Sequence, residues 1–258
     1  MRNKQRLIIF FITISFLFLF VILPYPAQNL EMSYCPPNTK AVLGCSPLGE
    51  DMGSLIFWGA WQTIITAVSG RLLASFLSAA GFMIAYLGRQ ISYNVISRLS
   101  EAFMTIPSLM LALSLGFFWG AGQGSMILAI GISEWAFSQK WLLGRLKEYN
   151  RFLFTEASIC AGAGRFHILK EHFFPFLSKD ILFLFFIYFP TSLLSAAALE
   201  FLGLSSADKI SGLGYQTAAY KDLIMLHPNL SLAPVFALLL IVSAALFLKA
   251  RVTFLTKR

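Results

Sequence analysis

The chain has 258 residues, 57% of them apolar and 12% charged, with 26 phenylalanines, a mean hydropathy of +0.72 and a formal charge of +8. A soluble domain carries about 25% charged residues, so this composition excludes a water-soluble protein and specifies an integral membrane protein. The basic balance is a topology signal and a contact with anionic membrane lipid, and it points away from nucleic acid.

An α-helix needs roughly 20 apolar residues to cross a hydrocarbon core of about 30 Å. Six stretches meet that standard, at about 7–23, 64–86, 102–119, 125–142, 181–202 and 230–249. Their apolar runs are continuous, without the alternation of an outer-membrane barrel, so the predicted class is all-α with six transmembrane helices. The first stretch follows Arg2, Lys4 and Arg6, and its 17 apolar residues exceed a signal-peptide core, so it is read as a retained helix. A Pro- and Gly-rich external loop follows at 24–56 and contains Cys35 and Cys45, either as a disulfide or as two unpaired thiols.

The second span contains Arg71, read first as a side chain whose stem snorkels outward and second as a pathway-lining residue. Pro107 in the third span and Pro190 in the fifth predict kinks. Gly120, Gly122 and Gly124 mark a tight turn between helices. The fourth span is the weakest, because Glu134 and Ser138 interrupt it; Glu134 is expected to face protein or water. Glu200, at the end of the fifth, is expected to be solvated. The chain divides into 1–46, a helix and external loop, and 47–258, a core of five helices with a long polar connection at 143–179. Sixteen Lys and Arg residues fall on the side of the N-terminus, that connection and the tail, against Lys40, Lys209 and Lys221 on the other. Both termini and the reduced Cys160 are therefore expected in the cytoplasm.

Enzyme chemistry finds no support. The sequence has no GxxxxGK[ST] phosphate loop, HExxH, paired CxxC or GxSxG. His167 and His172 stand five apart, about 140° around an α-helix, a poor spacing for one metal ion. No catalytic, cofactor or metal site is predicted.

The stretch at 156–175, EASICAGAGRFHILKEHFFP, is the polar exception. Its residues predict a short helix broken at Ala161-Gly162-Ala163-Gly164, then a second amphipathic segment at 166–174 that stops at Pro175. On physical grounds alone it is either an interfacial elbow or a docking element. Its spacing resembles the EAA loop of ABC-importer permeases, in the peptide and nickel branch. Glu156 and Ala157 open the motif, Gly162 follows Glu156 by six, His172 follows Gly162 by ten and Pro175 by thirteen. Pro47-Leu48-Gly49 with Asp51 and Trp58-Gly59-Ala60 is similar to that branch's stretch before its second helix. Ile106-Pro107-Ser108-Leu109 and Phe201-Leu202-Gly203-Leu204 also look like family blocks, and the whole resembles the second, C-type permease subunit from 47 to 229. Three departures stand out. Ser158 replaces the third EAA residue, the first external motif is short and lacks its arginines, and the fifth-helix acid is absent at Ala196 while Glu200 stands one turn later.

The resemblance implies a type I importer permease fold in a bacterial plasma membrane. It implies ATP-driven uptake of peptides or of nickel and metal chelates brought by an extracytoplasmic solute-binding protein. The implied partners are a second homologous permease subunit, giving a heterodimer, and two cytoplasmic ATPase subunits that use ATP and Mg; no cofactor is held by this chain. Glu156, Ala157, Gly162, Gly164, His172 and Pro175 become coupling residues, and Arg71, Pro107, Glu134 and Pro190 are candidates for pathway or gating. A non-transporting assembly subunit and an ion-coupled secondary transporter are the alternatives.

Overall fold

The computed structural model describes residues 25–39, 41–205 and 211–256. The predicted span at 7–23 lies outside them. Among the described residues the regular structure is helical, apart from one isolated bridge between Cys45 and Asp51.

Helix α1, Met52–Leu87, starts where the Asp51 carboxylate accepts hydrogen bonds from the Ser54 N–H and hydroxyl, both at 2.8 Å. Such a cap contributes about 1 kcal/mol by satisfying first-turn donors. The chain turns at Gly88 into α2, Arg89–Thr105, and then α3, Ser108–Trp119. The predicted third span is thus two helices bent by 93°, a break rather than a kink. The cause is local: Pro107 pushes Ile106 into an extended conformation (φ −91°, ψ 129°), which ends α2.

Gly120 and Gly122, both at positive φ, make the predicted tight turn into α4, Gln123–Tyr149. A short helix α5, Leu153–Cys160, follows. Helix α6, Arg165–Phe201, runs without interruption through both Pro175 and Pro190. The predicted stop at Pro175 therefore does not occur. A wide π-turn at Leu169–Phe173 precedes it, and this looser winding accommodates a ring that would clash with the carbonyl four residues back. The turn also corrects the histidine spacing: positions five apart meet, and the His167 and His172 ring centroids lie 6.4 Å apart. Helix α7, Leu213–Tyr220, and helix α8, Pro228–Thr256, complete the chain.

Among the described residues, three helices are long and apolar enough to cross a membrane: Met52–Leu87, Arg165–Phe201 and Pro228–Phe254. The bent pair α2 and α3 makes a fourth if counted as one broken span. α4 is not apolar enough by the same measure, as Glu134 foreshadowed, yet it is the helix most extensively packed against α1. Close approach of these two helices uses small residues: a Cβ on Gly81 of α1 would come within 2.2 Å of the Gln139 amide on α4. One apolar core joins Phe82, Leu142, Tyr149, Phe173 and Leu177 at the end carrying the polar connection. A second joins Ala67, Met126, Ile130, Leu193 and Leu199 toward the other end. The outer faces keep large apolar side chains exposed, such as Phe76, Leu182 and Leu240, as a lipid-facing bundle requires.

Before α1, Cys35 and Cys45 are disulfide-bonded. Tyr34 beside them stacks on His227 at 4.7 Å between centroids, which ties this loop to the start of α8.

Candidate functional site

Two sets of residues stand out: the α5 corner and a buried polar network within the bundle. At the corner, the end of α4 supplies Tyr149, whose carbonyl accepts from the Phe152 N–H (3.3 Å) and from the Thr155 hydroxyl (2.9 Å). These bonds fold the chain back into α5. Beneath α5 lies an aromatic stack: Tyr149 with Phe173 at 5.4 Å, Phe152 with Phe154 at 5.2 Å, and Phe154 with Phe176 at 5.9 Å between centroids. Tyr149 donates its hydroxyl proton to Asp180 of α6, and Arg145 donates to the same carboxylate at 3.0 Å. Burial, and after it the Asp180 carboxylate, push the Tyr149 phenol well above its ordinary range.

α5 ends in a Schellman turn. Gly162 adopts φ +82°, its N–H donates to Ile159 O (2.9 Å), and the Ala163 N–H donates to Ser158 O (2.9 Å). Gly164, extended, leads into α6. His172 lies on the inner side, where its Nε2 is 3.0 Å from the Ser158 hydroxyl and its ring 5.3 Å from Phe154. His172 therefore fastens α5 to α6 within this chain. Ser158, the departure from the EAA pattern, is its partner. The outer side of α5 is free: Leu153 is 83% exposed and Ile159 59%, with Ala157, Cys160 and the Glu156 carboxylate also exposed. The structure thus brings Glu156, Ala157, Gly162, Gly164 and His172 into one corner, with Pro175 just after the π-turn, ten residues past the start of α6.

Within the bundle, Arg71 is fully buried, which corrects the snorkelling expectation. α4 and α6 pack over α1 at this level and close the route outward. Arg71 Nη2 donates to the Ser138 hydroxyl, its Nη1 lies 3.8 Å from Glu134 Oε2, and its Cζ sits 5.2 Å above the Tyr188 ring. Glu134, buried as expected, accepts further bonds from the Ser192 and Ser195 hydroxyls, the latter at 2.9 Å. The pair joins α1, α4 and α6. Pro190 is buried on α6 just ahead of Ser192 and Ser195, whereas Pro107 stands at the exposed corner of α2 and α3.

Glu200 is the second correction. It is buried and accepts from the Thr63 hydroxyl (2.8 Å) and from the Gly214 N–H (3.1 Å), so it anchors the start of α7 instead of meeting solvent. Sequence reasoning gave Ser138 no partner and missed Ser192, Ser195 and Thr63. The available signal was their helical register, since Ser138 stands four after Glu134 and Ser195 three after Ser192.

Residues 77–255 match the family described as "Binding-protein-dependent transport system inner membrane component". The chain is 22% identical over 226 residues to a glutathione transport system permease protein, GsiD, of Pectobacterium atrosepticum, covering 86% of this chain and 75% of that one. It is 25% identical over 250 residues to a dipeptide transport system permease protein, DppC, of Alkalihalophilus pseudofirmus, covering 93% and 81%. Among solved structures, an inward-facing MetNI methionine ABC transporter shares the fold, with a TM-score of 0.65 at 18% identity over 80% of this chain and 98% of the other. The matched family region spans well over half of the sequence and contains the whole α5 corner, so the chain belongs to the binding-protein-dependent inner membrane components, the transmembrane permease subunits of ABC importers.

Proposed function

We propose that this permease is one half of a heterodimer that moves short peptides inward, and that α5 is the part on which an ATPase subunit pushes. The observation that carries this reading is the two-sidedness of α5. Its inner side is fastened to α4 through Tyr149 and Thr155 and to α6 through Ser158 and His172. Its outer side offers Leu153, Ala157 and Ile159 around the single carboxylate of Glu156. Apolar area surrounding one charge suits a groove that supplies a basic group. When two ATPase subunits bind ATP with Mg and close, a rigid displacement of α5 reaches α4 and α6 together. Those helices carry Glu134 and its serines, so the buried network moves with them.

The remaining architecture follows in the same reading. The segment at 7–23 supplies a further span and α4, despite its lower hydropathy, another, bringing the count to six, and both termini lie in the cytoplasm with the α5 corner. The Cys35 and Cys45 disulfide supports the opposite orientation for the first loop, since such bonds persist in oxidising compartments. That external face receives substrate from a solute-binding protein. Relatives named for glutathione and for dipeptides favour a short peptide over a metal chelate.

The test is purification of the chain from mild detergent with its partners, followed by ATPase assay with and without binding protein and dipeptide. An ATPase and a second permease should co-purify, with turnover stimulated by the loaded binding protein. Glu156→Lys should lower uptake about tenfold or more by placing like charges together, and Gly162→Pro should abolish it because proline cannot adopt positive φ; both chains should still insert. Partners without an ATPase would establish the assembly-subunit reading instead. Flux that follows an ion gradient and ignores ATP would establish secondary transport.

A further inference from the structure

Where α1 turns into α2, a cleft of about 280 Å³ opens between that turn, the end of α4 and the first residue of α6. Arg89, Lys147 and Arg165 line it, together with the side-chain amides of Gln90 and Asn150 and the ring of Tyr93. Three cations around one concavity repel one another, and a cleft narrows the solvent that would screen them. Some cations elsewhere are neutralised: Arg71, Lys140, Arg145 and Lys170 each face a carboxylate. Among the described residues no carboxylate pairs with Arg89, Lys147 or Arg165. Glu148, the acid next to Lys147 in sequence, is taken by Arg145. The backbone adds a second feature. Arg89 has φ +62°, a left-handed conformation that a bulky non-glycine residue rarely adopts, and it lies at this cleft.

We propose that the cleft is a binding site for one phosphate group, supplied by the headgroup of an anionic phospholipid. Its depth in the membrane favours that source. The apolar stretch of α1 at 64–86 ends just before Arg89, which sets Arg89 at the level where hydrocarbon gives way to headgroups. Two guanidinium groups and an ammonium present more donors than one phosphate has oxygens to accept them, and Arg165 keeps donors to spare after giving one to Tyr86 O at 3.0 Å. Lys147 lies over the Tyr93 ring at 5.5 Å, which holds the ammonium at the mouth without consuming its charge. A zwitterionic headgroup fits worse, because its quaternary ammonium would enter a cleft already rich in positive charge. The site is separate from the outer face of α5 and its existence does not depend on ATPase docking there.

Native mass spectrometry of the full chain, titrated with phosphatidylglycerol or with phosphatidylcholine, tests the proposal. One phosphatidylglycerol should be retained per chain, about tenfold or more tightly than phosphatidylcholine. Arg89→Gln combined with Lys147→Gln should lose that preference. Arg89→Lys combined with Lys147→Arg should keep it, which separates charge loss from misfolding. Arg251→Gln, on α8 where the guanidinium lies over Phe247, should leave retention unchanged. Displacement of the lipid by millimolar inorganic phosphate would uphold the phosphate site and identify the soluble anion as its occupant. Equal retention of both lipids, or undiminished retention by the doubly neutralised chain, would overturn the proposal. So would loss of the lipid from chain purified in complex with an ATPase, because a partner's acidic side chain would then be filling the cleft.

Discussion

Arg71 and Glu134 illustrate how a buried charge is compensated, here in part, since Nε and Nη1 of Arg71 find no hydrogen-bond partner among the described residues. The guanidinium has Glu134, Ser138 and Tyr188 around it, and the carboxylate has Ser192 and Ser195 in addition. Removing one partner leaves the other charge in a low-dielectric interior with nowhere to discharge its field. Glu134→Ala or Arg71→Ala is therefore expected to destabilise the bundle by about 3–5 kcal/mol. Arg71→Leu with Glu134→Leu together should recover much of that loss, since two apolar residues demand no compensation. Unfolding of the three variants in detergent, read by midpoint, checks the order. If the double variant is as unstable as the singles, the loss is the pair's own contribution to the bundle and not the penalty of an unpaired buried charge. Arg71 looked free to snorkel because a linear sequence does not reveal which helix lies at the centre of a bundle.

At the scale of elements, α7 depends on a side chain from another helix. Glu200 of α6 accepts the Gly214 N–H, and Thr63 of α1 accepts the Leu213 N–H at 3.0 Å, so two helices together satisfy the first turn of a third. Space is tight around them: a Cβ on Gly214 would lie 2.0 Å from Ala197 O. Glu200→Ala should raise amide exchange across 211–220 by the equivalent of about 1–3 kcal/mol, while Glu200→Gln, which keeps an acceptor, should lose less. Unchanged exchange in Glu200→Ala would mean that packing alone holds α7. The contrast with α5 explains what was legible. α5 and its glycine terminus are written in local signals, an apolar face and a residue able to take positive φ, and these were readable from 156–164. The cap of α7 and the aromatic stack under α5 join residues tens to well over a hundred positions apart in sequence. Neither has a local signature. The break at Pro107 lies between these cases: proline marked the place, and only packing decided between a kink and a right-angle turn.

At the scale of the molecule, the described residues form a helical bundle with large apolar side chains on its outer faces, one end closed by the aromatic stack and the other tethered by the loop around Cys35 and Cys45. That tether is local. Cys35→Ser with Cys45→Ser should remove roughly 2–4 kcal/mol from the loop, by the chain-entropy account. Protease nicking at 36–44 should quicken while the midpoint of the bundle stays put; a shifted midpoint would show the loop to be part of the core. The π-turn in α6 has a different reach. A wide turn stores one residue more than regular winding needs, and each residue advances an α-helix by about 100°. The surplus is absorbed within the turn, so the helix beyond Phe173 keeps the phase of the helix before it. Excising a single residue there would let the turn rewind as ordinary α-helix and leave Ser192 and Ser195 facing Glu134, whereas excising one from the regular winding between Phe174 and Thr191 would rotate both serines by more than a quarter turn away from it. The wide turn is thus a slack point in α6, a place where the register between the α5 corner and the bundle interior survives the loss of a residue.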